Sequence, residues 1–193
     1  MHKSGYITTF SGLKFYPLAP KAESVCLSDI AHHLSNLCRF TGAVREFYSV
    51  AQHCVHVSLV CDPAEALEGL LHDSPEAYIA DLSRPLKHSP ELKKYRIVEK
   101  EIEAVIAEKF NIRAGKLPSV EVADKRMLLT EMRDMMPAGP GGVFGMAEEY
   151  VGFDPYPWTI FPWSPREAET RFLARFTELE LRRRIEVQEL VGK

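Results

Sequence analysis

The strongest constraint on this chain is the stretch Leu70 to Leu86, LLHDSPEAYIADLSRPL, which runs straight out of an apolar segment with helical spacing. It places His72, Asp73, Glu76 and Asp81 where burial is expected from the neighbouring leucines. Carboxylates are rarely buried unless a partner charge or a metal ion replaces their lost water. The fold must therefore bring compensating groups to this block from elsewhere. Ser74-Pro75 adds a second constraint. A residue before proline avoids the helical region, so the spacing predicts a break there. A new short helix is expected from Pro75 to about Leu82, with Glu76 in its first turn.

The flanking sequence is helical in pattern. Ser28 or Asp29 is expected to cap a helix through about Phe40, with Ile30, Leu34 and Leu37 on one face, and Thr41-Gly42 breaks it. A second helix is predicted over Ser49 to Cys61. A third starts at Asp62-Pro63 and reaches His72. A long amphipathic helix is expected from Pro90 or Glu91 to Phe110, through Ile97, Ile102, Val105 and Ile106. Another spans about Ser119 to Met135, and a last one Ser164 to about Val187. Ahead of them, YITTF and LKFYPL are β-prone, and Ser11-Gly12 supplies the turn of a hairpin within residues 1–20. Residues 137–163 are rich in Gly, Pro and aromatics and read as a long loop: a lid, a packing arm, or a partly mobile segment, with Trp158 and Trp163 anchoring it. The 193 residues suit a single all-α domain of about six or seven helices with a short N-terminal β-hairpin.

A net charge of −3 gives no basic footprint for nucleic acid. No apolar run approaches the roughly 20 residues of a membrane helix. MHKSGYITTFSG lacks the apolar core of a signal peptide. The four cysteines, Cys26, Cys38, Cys54 and Cys61, have no CxxC spacing and read as reduced structural thiols. A cytoplasmic protein is expected.

The segments SVAQHCVHVS, LLHD and VADKRMLLTEMRD together offer His53, His72, Asp73 and Asp124. Two imidazoles and two carboxylates form a mixed N/O set suited to divalent Mn, Fe, Co, Ni or Zn. His32, His33 and His56 read as core-edge or supporting histidines, and His88 as a solvated loop residue.

The pattern H…HD…D across a helical chain resembles the HD-domain metal-dependent phosphohydrolases. NLCRFTGAVREFYSVAQHCVHVS, LLHDSPEAYIADLSRPLK and ADKRMLLTE resemble its small single-domain branch, the bacterial 5′-deoxynucleotidases and phage dATP triphosphohydrolases, over roughly residues 5 to 135. The resemblance implies an HD-domain helical bundle and a divalent ion (zinc, cobalt or manganese, with magnesium or nickel as alternatives) on His53, His72, Asp73 and Asp124. It implies Glu76 as catalytic acid/base and Asp81 as a residue that helps hold the water or the sugar. Arg39 matches the substrate-binding arginine, with Phe40 where the deoxynucleotidases carry Trp. Arg84 and Lys87 are further phosphate candidates, and Phe40 and Pro85 candidate walls of a base pocket.

The implied activity is cleavage of the 5′-phosphate ester of a deoxynucleotide. Triphosphate release from dATP is favoured slightly over dephosphorylation of a deoxynucleoside monophosphate. The expected partner is the small deoxynucleotide itself, and the resemblance also implies a homo-oligomer. The alternative of another class is a catalytically idle nucleotide-binding module, whose mark would be a missing ligand or a replaced Glu76; neither is seen.

Overall fold

A computed structural model describes residues 5–137 and 150–191. At its start, Ile7–Thr8 (β1) pairs antiparallel with Lys14–Phe15 (β2), Ile7 opposite Phe15 and Thr8 opposite Lys14. The turn between them is tied to the first helix. Asp29 accepts from the Ser11 backbone N–H at 2.6 Å and from its hydroxyl at 2.8 Å. That use of Asp29 corrects the expectation that it, or Ser28, caps a helix. The helix α1, Leu27–Asn36, begins earlier, after Cys26, with no side-chain cap. It also stops short of Phe40. Arg39–Gly42 is a tight 3-10 turn in which Phe40 and Thr41 adopt left-handed φ values of 55° and 54°.

The second helix, α2 (Val50–Val60), is capped by the Ser49 hydroxyl, which accepts from the Gln52 N–H. It is buried on almost every side, including Gln52, His53 and Ser58. A helix apolar all round belongs at the centre of a core, and α2 packs on four others. They are α1, α3 (Ala66–Leu71), α7 (Pro118–Met135) and α8 (Pro165–Val191). Asp62 caps the 3-10 turn Pro63–Glu65 that leads into α3. The core gathers Phe15, Ile30, Leu34, Tyr48, Leu70, Ile102, Met127 and Phe172.

The break at Ser74-Pro75 is present, but the helix after it is shorter than expected. This α4, Glu76–Ile79, ends where Ala80 takes φ 67° and ψ 158°. A further short helix, α5 (Arg84–Lys87), follows. The long helix divides into a 3-10 turn, Pro90–Leu92, and α6 (Lys93–Phe110), closed by Asn111 in the left-handed region. Ile102 and Ile106 face the core as expected, whereas Ile97 is 49% exposed. Residues 138–149 of the expected long loop lie outside the described residues. The rest of it packs. Gln52 donates to the Phe161 carbonyl and accepts from the Trp163 N–H, both at 2.8 Å. Arg133 donates to the carbonyls of Tyr156 and Trp158. None of the described helices is long and apolar enough to cross a membrane.

The α2–α3 contact depends on Gly69. A Cβ there would stand 2.8 Å from the Cys61 sulfur and 3.3 Å from Ser58 Cα. Gly69→Ala is expected to destabilise the protein by about 1–3 kcal/mol, the usual cost of overpacking. Urea unfolding should show a lower midpoint at unchanged slope.

Candidate metal centre

Three helical segments deliver the site. His53 lies on the buried face of α2. His72 and Asp73 follow directly on α3, and Asp124 sits on α7. His53 Nε2 and His72 Nε2 are 3.2 Å apart. Asp73 Oδ2 lies 3.6 Å from the first and 3.3 Å from the second. Asp124 Oδ1 lies 3.2 Å and 4.0 Å from the same two nitrogens. His53, His72 and Asp73 each offer one ligand atom, all within 4.8 Å of one another, so this group is able to hold a metal ion. Donors bonded at about 2.1 Å to one ion stand roughly 3.0–3.4 Å apart, and the shorter of these separations match.

The hydrogen bonds behind the imidazoles sharpen that fit. His53 Nδ1 lies 2.6 Å from Glu131 Oε1, a carboxylate that only accepts. His72 Nδ1 lies 2.8 Å from the Gly69 carbonyl oxygen. Each Nδ1 therefore carries the proton, and each Nε2 turns its lone pair inward, the usual arrangement behind a metal-bound imidazole. Two such nitrogens 3.2 Å apart repel unless a proton or a metal cation lies between them. In the metal-free protein the charges draw a proton to the same place: burial opposes charging of both rings, and Arg39 opposes it at His53, but Asp73 beside His72 and Glu131 with Asp124 beside His53 outweigh this and raise both pKa values. Burial likewise opposes ionisation of Asp73 and Asp124, yet the two histidines hold both carboxyls below their ordinary range.

Glu131 was not singled out from the sequence. It is fully buried on α7, seven residues past Asp124 and thus on the same helical face. Besides His53 it accepts from the Tyr48 hydroxyl at 2.9 Å and from Arg39 Nε at 3.0 Å. The ADKRMLLTE block contained the signal: a glutamate two turns beyond a candidate ligand. Lys116, also unforeseen, reaches within 3.9 Å of Asp124 Oδ2 from the connection between α6 and α7. An exposed lysine in a loop carries no such signal in sequence.

The other candidates surround this centre in different ways. Arg39 is drawn to Glu131, with Nη1 left 3.7 Å from Asp73 Oδ2, and its guanidinium lies over Phe40. Glu76 is 5% exposed, and burial, then Asp73 and Asp81, push its carboxyl well above its ordinary pKa. Its Oε2 finds no hydrogen-bond partner among the described residues. Asp81 is half-buried and its pKa is also raised, chiefly by burial. Lys87 lies 3.6 Å from Glu76 and 2.5 Å from Glu99. Arg84 stacks over Tyr150, and Pro85 is exposed. An open groove of about 460 Å³ runs beside Glu76, lined by His33, Asn36, Leu37, Ala77 and Tyr78. His32, His33 and His56 are occupied elsewhere. His33 bonds the Phe10 N–H and the Ala77 carbonyl. His32 meets Glu169. His56 sits between Trp158 and Trp163, its pKa pushed down to about 4 by burial.

Fold and site define a helical protein with a His-His-Asp group able to hold a metal ion. No family model matches the chain. It is 38% identical over 179 residues to the uncharacterized protein YfdR of Escherichia coli (strain K12), a match that covers 92% of this chain and 98% of YfdR. The chain belongs to the YfdR family.

Two outcomes are expected. Glu131→Gln removes the negative charge behind His53 and should weaken divalent-metal affinity by roughly 10–100-fold, read by titration calorimetry. The second concerns pH. The folded-state pKa values of His53 and His72 are raised, so in metal-free protein their stabilisation is full below about pH 6.5 and is lost as pH climbs through the folded values. The Tm of metal-free protein should fall as pH rises above that point. Metal affinity should rise over the same range, because the ion competes with these protons.

Proposed function

We propose that this protein is a metal-dependent phosphohydrolase of the HD type that cleaves the 5′-phosphate ester of deoxynucleotides. The observation that carries this reading is the meeting of His53, His72 and Asp73 as one potential ligand group, with Asp124 Oδ1 3.2 Å from His53 Nε2 and a buried, incompletely bonded carboxyl, Glu76, three residues beyond Asp73. In this reading Asp124 completes the ligand set. A divalent ion held there would polarise a phosphoryl oxygen and make a neighbouring water more acidic.

The chain's own groups supply the rest. Glu76 accepts the proton of the attacking water, and burial, with Asp73 and Asp81, raises its pKa and makes its carboxylate a stronger base than an ordinary one. Water adds to the phosphorus next to the sugar, and the 5′ oxygen leaves with a proton. The groove beside Glu76 has room for a nucleoside, and Asp81 offers an acceptor for a sugar hydroxyl. Glu131 holds the His53 ring in its inward orientation and keeps Arg39 beside Asp73.

Two phosphate lengths compete. The resemblance in CRFTGAVREFYSVAQH favours dATP, with release of triphosphate. One observation favours the monophosphate instead: Arg39 and Lys87, two of the expected phosphate cations, are already engaged by carboxylates. Fewer cations suffice for a single phosphate.

Purified protein loaded with Mn²⁺, Co²⁺ or Zn²⁺ and given dAMP and dATP separately should release triphosphate from dATP. Inorganic phosphate from dAMP alone would select the monophosphatase. No release from any nucleotide would remove the phosphohydrolase reading. Glu76→Ala should keep stoichiometric metal while turnover drops by roughly 10²–10⁴.

A further inference from the structure

Lys87 stands between two acids from different helices. Its Nζ is 2.5 Å from Glu99 Oε1 on α6 and 3.6 Å from Glu76 Oε1 on α4. Its position is not left to chance. Arg96, on the same helix as Glu99, donates to the Lys87 carbonyl at 2.6 Å and to the Ser89 carbonyl at 2.8 Å. Tyr95, four residues before Glu99 and so on one face with it, donates to the Ala80 carbonyl at 2.8 Å. The first turns of α6 thereby bracket the whole segment from Ala80 to Ser89.

The two distances are unequal in an informative way. An ammonium confronted by one buried carboxylate closes to hydrogen-bonding range, about 2.7–2.9 Å. At 3.6 Å Lys87 has not closed on Glu76; the contact is made to Glu99 instead. We propose that Glu99 is a positioning residue that draws Lys87 away from Glu76, so that the Glu76 carboxylate keeps only a loose 3.6 Å pair and stays open to substrate instead of sealed in a hydrogen-bonded one. The inference rests on the assignment of Glu76 as proton acceptor in the proposed reaction. Glu99 itself touches neither the four candidate ligands nor substrate; it acts through Lys87.

This arrangement makes a prediction with an unusual sign. Glu99→Gln removes the competing charge, and Lys87 should then close on Glu76. Turnover should fall by roughly tenfold or more, with KM little changed and metal stoichiometry intact. Adding Lys87→Met in the same chain should raise kcat back above that of the single variant, because the quenching cation is gone. Glu99→Asp, which retains the charge, should rescue much of the loss. A merely structural Glu99 would give a double variant no faster than Glu99→Gln, and that result would overturn the proposal. A crystal structure of Glu99→Gln supplies a readout independent of turnover. The Lys87 ammonium should lie within about 3 Å of Glu76; an ammonium that remains apart or swings to solvent would overturn the proposal. An inactive wild type would instead strike the phosphohydrolase reading, and the crystal structure would still decide where the lysine goes.

Discussion

Two imidazole nitrogens, each with its lone pair turned inward, face one another at 3.2 Å in the middle of this protein. Such an approach is favourable only with a shared proton or a metal cation between them, and much of the architecture serves to hold it. The His72 ring is fixed by the carbonyl of Gly69, and Gly69 is the residue that lets α3 lie against Cys61 and Ser58 of α2. The His53 ring is fixed by Glu131, which in turn gathers Tyr48 and Arg39. Helix packing and ring orientation are therefore one problem. A shift between α2 and α3 would move one lone pair relative to the other before it disturbed any apolar contact at the periphery.

Burial of so many charges is tolerable because they alternate. Arg39 lies between Glu131 and Asp73, and the histidines lie between Asp73, Asp124 and Glu131. Isolated, any of these ions would lose several kcal/mol on leaving water. Arranged in series, each acid is drawn down and each base drawn up, as the directions of their pKa shifts show. Glu76 and Asp81 are the exceptions. Glu76 is buried beside Asp73 and Asp81, and burial first, then those two acids, moves its carboxyl in the opposite direction from Asp73. Two carboxyls three residues apart thus acquire different chemistry from their surroundings alone.

Much of this was legible in the sequence. The helical periods of α2, α7 and α8 follow from apolar spacing. The break at Ser74-Pro75 follows from proline sterics, and the grouping of His53, His72 and Asp73 from buried polar residues that need a common partner. Besides Glu131 and Lys116, three further features were not, each for a local reason. Asp29 has the chemistry of a helix cap, but a tertiary contact with Ser11 claims it. The turn at Phe40-Thr41 uses left-handed backbone at an aromatic and a β-branched residue, which propensity argues against. Ile97 fits the apolar period of α6, but the first turns of that helix bracket the Ala80–Ser89 segment with polar side chains instead of entering the core.

That bracket also bears on the strained backbone at Ala80. Ala80, at φ 67° and ψ 158°, occupies a region that is nearly glycine's alone, at a cost of about 1–3 kcal/mol. The conformation ends α4 at Ile79, two residues before Asp81, and leads the chain on to the short α5. A relaxed backbone would continue the helix and carry Asp81 round with it. The Tyr95 hydroxyl holds the Ala80 carbonyl where the strained conformation puts it. Strain at Ala80 and the polar face of α6 are therefore two halves of one device. A continuous helix would set Asp81 about 140° round from Glu76; with the helix broken at Ala80, Asp81 lies near enough to Glu76 to raise its pKa.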